Sequence, residues 1–225
     1  MKKGVLLVAA RSLLGEGLRA AIGRSPVFQV VGMASDRAEA IRLALATRPA
    51  LVVLDLSGSD RDQMELIRRI RRQVPAIPIL AVSPDTEPGR ILAALEAGAS
   101  GVVQRTSSIQ QLTQCLEQVS AGGFCVDERT VRDLARAARR SSGAERKPPA
   151  APDGGLSERE SEVLRGMAEG KTTKAIAREL QISAKTVQNH RSRLMKRLRL
   201  QTASDIIRYA AKVGLIEIED WMEGH

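Results

Sequence analysis

The stretch from Ser183 to Leu200, SAKTVQNHRSRLMKRLRL, constrains the fold more than any other part of the chain. Val187, Leu194 and Leu198 recur at helical spacing, so the segment predicts one helix with an apolar stripe. Its cations, with no acid between them, are Lys185, Arg191, Arg193, Lys196, Arg197 and Arg199. A second short helix, 173–180, precedes it across a tight turn. Two short helices joined in this way predict a helix-turn-helix, whose second helix enters the major groove of DNA.

A basic helix can also be a solvated surface, and the distribution of charge decides between the two interpretations. Residues 171–212 carry eleven Lys and Arg against two acids. The flanking residues, 156–170 and 213–225, carry two Arg against eight acids. Positive charge concentrated on one part of a small domain is typical of a surface that binds phosphates. The net charge of the whole chain, +9, also suits an anionic partner.

The C-terminal part resembles the LuxR-type DNA-binding domain of NarL/FixJ-class response regulators, without a gap, from LSERESEVLRGMAEGKTTKAIAREL through the basic helix to Ile216. The resemblance implies duplex DNA as the partner. The residues expected to contact DNA are Thr172, Thr173, Lys174, Lys185, Thr186, Gln188, Asn189, Ser192, Arg193 and Lys196. Among them Gln188 and Asn189 face the groove and can bond adenine through two hydrogen bonds. Arg191 could face either the groove or the DNA backbone.

The last predicted helix, 203–213, carries more apolar surface than three small helices need to bury. By resemblance, Ile206, Ile207 and Ala210 lie on a dimer helix. A homodimer would bind two half-sites related by two-fold symmetry. The competing interpretation, that these residues belong to the core of their own domain, stays open.

The N-terminal part alternates short apolar runs with amphipathic segments. Strands are predicted at 4–9, 27–34, 50–54, 77–82 and 101–103, and helices at 12–23, 36–46, 62–73, 87–97 and 109–121. Continuously apolar strands that alternate with helices indicate a parallel sheet covered on both faces. The predicted fold class is therefore α/β, a five-stranded, doubly wound, flavodoxin-like domain followed by a small all-α helix-turn-helix domain. A functional site is expected at the carboxyl ends of the strands.

The motifs VLLV, LVVLDL, PILAVS and AGASGVVQR resemble those of a receiver domain over about residues 3–121. By resemblance, Asp55 matches the phosphoacceptor aspartate, and Ser83 matches the hydroxyl residue that senses the phosphoryl group. Two switch positions depart from the family. Arg105 stands where a lysine is expected, and Val102 replaces the aromatic residue that swings between two positions.

The acidic pair that follows the first strand of receivers is replaced by Ala9 and Ala10. Mg²⁺ is bound by carboxylates, water and phosphate oxygens, and alanine side chains supply none of these. We therefore expect no cofactor and no metal site, although Asp60 and Asp62 in the following loop could reach in. Asp55 is either a regulatory phosphoacceptor or a strand-end carboxylate held by a partner such as Arg105. The missing metal ligands favour the second interpretation.

The predicted domains are a receiver-like domain at 1–121, a linker region at 122–154 with a helix at 128–139, and a DNA-binding domain at 155–225. The linker is inferred from the run RSSGAERKPPAAPDGG, which has no apolar periodicity. Cys115 and Cys125 belong to no ligand cluster and are expected to be separate reduced thiols. No secretory signal and no membrane span are predicted, so a cytoplasmic location is expected.

The sequence thus predicts a DNA-binding transcription regulator with an atypical receiver, and no enzyme. Two alternatives remain. One is a conventional response regulator that is phosphorylated on Asp55 by a sensor kinase. The other is a receiver-like module that senses another regulatory protein or a small ligand.

Overall fold

The computed structural model describes residues 2–84, 88–126, 156–200 and 202–216. Five strands form one sheet: β1 Lys3–Val8, β2 Phe28–Ala34, β3 Leu51–Asp55, β4 Ile79–Ser83 and β5 Gly101–Gln104. The helices between and after them are α1 Leu13–Gly23, α2 Arg37–Thr47, α3 Asp60–Gln73, α4 Pro88–Ala97 and α5 Ile109–Ser120. All pairings are parallel, in the order β2-β1-β3-β4-β5. This topology confirms the predicted doubly wound fold.

The continuous apolar character of the strands is explained by helices on both sides of the sheet. Leu51, Val53 and Val5 face one cluster with residues of α1 and α5. Val52 and Leu54 face the opposite cluster with residues of α2, α3 and α4. Burial on both faces removes the alternation of polar and apolar residues that a half-exposed strand would show. The ends of β3, β4 and β5 meet at one edge, where the receiver site lies.

Four helices form the C-terminal part: α6 Glu158–Ala168, α7 Thr173–Glu179, α8 Ala184–Arg197 and α9 Ala203–Lys212. Each begins after a hydroxyl residue whose side chain accepts a hydrogen bond from the first turn; these residues are Ser157, Thr172, Ser183 and Thr202. An N-cap of this kind contributes about 1 kcal/mol. The helix starts are therefore encoded locally, and at the start of α6 Ser157 and Glu160 form a capping box.

The C-terminal helices pack against the first domain on the side of α4. Helix α9 lies against α4, and Arg208 of α9 pairs with Glu96 of α4. One apolar core runs continuously from α2, α3 and α4 into helices α6 to α9. In the described part of the chain, no helix has the length and apolar character that a membrane span requires. Of the predicted linker, 122–126 is described, whereas the predicted helix at 128–139 and the rest of 127–154 lie outside the described residues.

Candidate DNA-binding surface and receiver site

Helix α8 has a buried side and an exposed side. Val187 and Leu194 are fully buried, in one core with Ile176 of α7. The exposed residues on the opposite side are Lys185, Gln188, Asn189, Ser192, Arg193 and Lys196. At 100° per residue these positions fall within less than half a turn, so the structure places the predicted contacts on one surface. Thr186 is half-buried, and its hydroxyl lies 2.8 Å from that of Ser183.

The start of α7 supplies the remaining predicted contacts. Thr172 is the N-cap, and its hydroxyl accepts a hydrogen bond from the backbone N–H of Ala175 at 3.1 Å. Lys174 is exposed. Thr173, by contrast, is buried, and its hydroxyl has no hydrogen-bond partner among the described residues. Thr173 therefore lies against the first domain in this arrangement and not on the free surface.

Arg191 of α8 is buried against the segment that follows α5. It is 9% exposed, and its guanidinium lies 6.0 Å from the centre of the Phe124 ring, within the range of a cation–π contact. Loss of hydration on burial lowers the pKa of Arg191 to about 10. The side chain is still a cation at neutral pH. Of the two environments considered from the sequence, DNA groove or DNA backbone, it occupies neither here.

A cleft of about 800 Å³ separates α8 from the first domain. The cations that line it are Lys3, Arg71, Lys174, Lys185 and Arg191. Among the described residues that line this cleft there is no Asp or Glu. Gln188 also faces the cleft, so a part of the predicted DNA surface looks towards the first domain. A duplex cannot enter so small a space, so this arrangement restricts the approach of a major groove to Lys185 and Gln188.

Asp55 at the end of β3 is held by a cation and a hydroxyl. Its side chain is 3% exposed, and Oδ1 lies 3.3 Å from Nη2 of Arg105. Oδ2 accepts a hydrogen bond from Oγ of Ser57 at 2.8 Å, and Arg105 also donates to this hydroxyl. The Asp55–Arg105 pair is thus present. Ser57 was not anticipated, although a hydroxyl two residues after a carboxylate often bonds to it locally.

Two further switch positions lie on the neighbouring strands. Ser83, at the end of β4, is fully buried, and its hydroxyl has no hydrogen-bond partner in the part of the chain that the structure describes. It pairs in register with Gln104 of β5. Val102 is 7% exposed and belongs to the core on the α4 side. A buried aliphatic side chain at this position fills the core and leaves no ring to rotate outward.

The residues at the end of β1 do not fit the magnesium ion that the receiver fold implies. Ala9 is buried and Ala10 is exposed, and neither carries a side-chain oxygen. Both carboxylate oxygens of Asp55 already have partners. Within the described ranges, no group of three or more His, Cys, Asp or Glu could hold a metal ion. The donor set at this site is therefore poor for a hard divalent cation.

Asp60 and Asp62 do not supply the missing carboxylates. Asp60 lies 3.2 Å from Nη2 of Arg90, and Asp62 lies 2.5 Å from Nη2 of Arg37. The first turn of α3 directs both side chains to arginines of neighbouring helices. The expectation that they could turn towards Asp55 does not apply in this arrangement.

The predicted dimer residues are buried within the chain. Ile206, Ile207 and Ala210 are at most 1% exposed and belong to the core that α9 shares with α6 and α4. They are unavailable to a second copy unless α9 leaves α4.

The two cysteines are joined in a disulfide. Cys115 lies on α5 and Cys125 lies five residues after the helix ends, and their Cα atoms are 5.3 Å apart. The expectation of two separate thiols is wrong because a turn at 121–123 brings the chain back beside α5 and β5. Sequence spacing alone does not reveal this return.

Comparisons with known proteins match both parts of the chain. Residues 5–117 match the response regulator receiver domain, and residues 155–210 match the bacterial regulatory proteins of the luxR family. The DNA-binding transcriptional activator DevR/DosR of Mycobacterium tuberculosis is 31% identical over 209 residues, which cover 93% of this chain and 94% of that protein.

Two solved structures resemble the fold. A LuxR-family two-component response regulator from Aurantimonas sp. SI85-9A1 is 33% identical with a TM-score of 0.55, over 61% of this chain and 98% of that chain. RcsB, solved as two dimers bound to two parallel DNAs, has a TM-score of 0.52 at 23% identity, over 95% of this chain and 100% of that chain. The second likeness concerns the fold alone.

The receiver topology, the helix-turn-helix with its basic exposed face and the matches over both regions agree with one another. The related proteins are regulators of transcription and not enzymes. The chain belongs to the LuxR family of response regulators, DNA-binding proteins that join a receiver domain to a C-terminal helix-turn-helix domain.

Proposed function

We propose that this chain is a sequence-specific regulator of transcription that works in the cytoplasm as a homodimer, and that its receiver domain acts without magnesium-dependent phosphorylation of Asp55. The observation that carries the proposal is the closed set of contacts around Asp55, together with alanines at the two positions where receivers place acids. DNA is the output ligand, and the receiver domain sets the conformation in which α8 is presented.

The exposed side of α8 has the chemistry of a DNA-reading surface. Lys185, Arg193 and Lys196 supply cations for phosphates, which contribute most of the sequence-independent affinity. Gln188 and Asn189 lie between them and can form paired hydrogen bonds with base edges. RcsB, which has the same fold, is bound to DNA as dimers. A dimer of this chain through α9 requires that α9 first leave α4.

The receiver site lacks what aspartyl phosphorylation needs. Transfer of a phosphoryl group develops negative charge on its oxygens, and that charge has to be neutralised at the reacting centre. In the described part of the chain, the side chains that bond or pair with the carboxylate of Asp55 are those of Ser57 and Arg105. The guanidinium of Arg105 already lies against the carboxylate of Asp55 without any phosphoryl group. This pair favours a fixed receiver conformation over one set by phosphorylation.

A conventional, phosphorylated regulator is the rival function, and one observation favours it. Among the residues that the structure describes, the buried hydroxyl of Ser83 has no hydrogen-bond partner, and by resemblance it stands where receivers contact the phosphoryl group. In that case a sensor kinase would be the partner. If the receiver is instead a sensor for another protein or a ligand, Asp55 and Ser83 serve only the structure.

The test is intact mass and DNA affinity of the full chain after treatment with acetyl phosphate and Mg²⁺. We expect no adduct on the natural chain and no change in affinity. Ala10→Asp is the matched variant, because residue 10 is exposed and its replacement restores one carboxylate at the end of β1. A stoichiometric adduct on Asp55 of the natural chain that tightens DNA binding about tenfold, or 1.4 kcal/mol of coupling, would contradict the proposal.

A further inference from the structure

The segment 122–126, called here the joining segment, carries contacts between the receiver domain and the DNA-binding helices. A side-chain carbon placed on Gly122 would lie 3.3 Å from Oγ1 of Thr173 and 3.9 Å from Nη2 of Arg191. The ring of Phe124 packs under the same guanidinium at 6.0 Å. The joining segment therefore contacts the start of α7 and the buried arginine of α8.

The contact is close at the next residue as well. A side-chain carbon on Gly123 would lie 2.9 Å from the carbonyl oxygen of Gly170, which follows α6. No side chain fits between the two backbones at that distance. The position of the joining segment thus fixes how near the helix-turn-helix can approach the receiver domain.

The joining segment is attached to the receiver domain in two ways. The backbone N–H of Cys125 donates to the carbonyl of Ser100 at 3.2 Å, and the N–H of Val102 donates to the carbonyl of Cys125 at 2.8 Å. These bonds place Cys125 beside β5 as a one-residue parallel bridge with Gly101. The disulfide to Cys115 adds a covalent attachment to α5.

The pairing of these cysteines is specific. The chain of 225 residues contains only two cysteines, and their Cα atoms are 5.3 Å apart, within the range of about 4.4–6.8 Å in which a disulfide forms without backbone movement. Cys115 is buried between α5 and the sheet, whereas Cys125 is half-buried. Cys125 is therefore the more accessible of the two cysteines to a small reagent, and Cys115 is placed to resolve the product.

We propose that Cys115 and Cys125 form a thiol–disulfide exchange site whose oxidised form holds the joining segment against the DNA-binding helices and thereby lowers affinity for DNA. The part that concerns DNA rests on the proposed function. The reagents are low-molecular-weight disulfides for oxidation and low-molecular-weight thiols for reduction.

Oxidation follows the ordinary course of thiol–disulfide exchange. The thiolate of Cys125 attacks one sulfur of the small disulfide, forms a mixed disulfide and releases one small thiolate. The thiolate of Cys115 then attacks the sulfur of Cys125 and releases the second small thiolate as the internal bond forms. Two electrons pass from the cysteine pair to the small disulfide, and the two protons lost by the cysteines are taken up by the released thiolates.

Reduction removes the covalent attachment and leaves the joining segment held by backbone hydrogen bonds and by the packing of Phe124 and Val126 against the core. The segment then fluctuates more, and the ordered surface that Phe124 and Gly122 offer to Arg191 is populated for less of the time. Arg191 of α8 is held by this surface, and Lys185 and Gln188 of α8 line the adjoining cleft. Release of the surface should therefore increase the fraction of the chain in which α8 can bind DNA. Reduced protein should therefore bind DNA more tightly than oxidised protein.

The first test is chemical and independent of DNA. The full-length chain is incubated with excess oxidised glutathione, or with dithiothreitol, and analysed by intact mass and thiol titration. We expect the oxidised chain to be lighter by two hydrogen atoms and to contain no titratable thiol. Two titratable thiols after oxidation, or two bound glutathiones, would overturn the exchange site.

The second test measures the joining segment by hydrogen exchange in both states. The amides of Cys125 and Val102 should exchange more slowly in the oxidised chain, as should the amides around Arg191. Equal exchange at Arg191 in the two states would show that the bond does not reach the DNA-binding domain. This readout holds even if the chain binds no DNA, so failure of the proposed function is recognised separately.

The third test is DNA affinity, measured on a duplex that the reduced protein selects from a random pool. Reduction should tighten binding at least about fivefold, the lower end of measured coupling between sites. Cys125→Ser should bind like reduced protein in both conditions, and Phe124→Ala should relieve the effect of oxidation with both cysteines intact. Equal affinity of the oxidised and reduced natural chain, with DNA binding present, overturns the regulatory part of the proposal.

Discussion

The receiver site and the DNA-binding surface lie in one chain but differ in how far they keep the chemistry of their family. On α8 the exposed side retains cations and amides in an arrangement suited to phosphates and base edges. At the receiver site Asp55 and Ser83 match the residues that the family resemblance predicts, whereas Ala9, Ala10, Val102 and Arg105 differ from them. A fold that depends on apolar strands tolerates such changes, because Ala9 and Val102 are apolar side chains buried in its core.

The largest effect should be the salt dependence of DNA affinity. A protein that neutralises six to ten phosphates loses about 10³–10⁵-fold in affinity between 50 and 200 mM salt. A homodimer that presents Lys174, Lys185, Arg193 and Lys196 twice reaches this range. Fluorescence anisotropy over a salt series measures the slope. An affinity that does not change with salt would show that the basic surface is merely solvated.

The next effect concerns which side chains read sequence. Asn189→Ala or Gln188→Ala should remove about 1–3 kcal/mol of discrimination at one base pair, because a paired hydrogen bond is lost. Lys185→Ala is the control, and it should weaken all duplexes alike. Affinities for a set of single-base variants of the operator distinguish the two patterns. A uniform loss for Asn189→Ala would move this residue from base reading to backbone contact.

Two adjacent cations of α8 should behave differently. Arg197 lies 2.9 Å from Glu160 of α6, whereas Lys196 is exposed. Lys196→Ala should lower DNA affinity with little change in stability. Arg197→Ala should destabilise the fold by about 1 kcal/mol, because the largely buried carboxylate of Glu160 loses its cationic partner and keeps only the hydrogen bonds from Ser157. Denaturant titration measures the stability of both variants, and a binding assay measures their affinity for DNA. Equal changes in stability and in affinity for the two variants would show that Lys196 and Arg197 have the same role.

The same ion pair predicts a pH dependence of stability. Burial opposes the charged form of Glu160, but hydrogen bonds from Ser157 and Arg197 outweigh it, so the pKa of Glu160 lies below its ordinary value. A carboxylate with a lowered pKa contributes stability above its unfolded-state pKa of about 4.3, and this contribution is lost as the pH falls through the folded-state value. Glu160→Gln should flatten this part of the stability profile. If Glu160→Gln loses stability at acidic pH just as the natural chain does, Glu160 is not the source of that loss.

The smallest effect should be at the receiver site. Asp55→Asn should leave DNA affinity within about threefold, less than the usual coupling between a regulatory site and a ligand site. Arg105→Ala should change how the two domains dock more than it changes phosphorylation of Asp55, since the Asp55–Arg105 pair contributes to the resting conformation. Hydrogen exchange of β3 and β5 in Arg105→Ala measures this conformational change. If Asp55→Asn alters DNA affinity tenfold or more, the two regions are coupled as in a phosphorylated receiver.

Local features of the fold were predictable because they depend on residues that are close together in the sequence. The strands follow from unbroken apolar runs such as LVVL, and helix α6 follows from the capping box of Ser157 and Glu160. The Asp55–Arg105 pair followed from the topology, which brings the ends of β3 and β5 to one edge. The disulfide and the burial of Arg191 could not be read in this way. Both depend on where a turn after α5 returns the chain and on how two domains meet.

The cleft between α8 and the first domain has a consequence for how sharply the regulator responds to ionic conditions. Five cations line it, and no acid from the described residues separates them. Their mutual repulsion opposes closure at low ionic strength, and dissolved ions relieve it, since the screening length falls to about 10 Å at 0.1 M salt. We therefore expect added salt to favour the closed arrangement and, at the same time, to weaken the contacts with DNA phosphates. Occupancy of an operator should fall with salt more steeply than the phosphate contacts alone require, so DNA binding by this chain should be unusually sensitive to ionic strength.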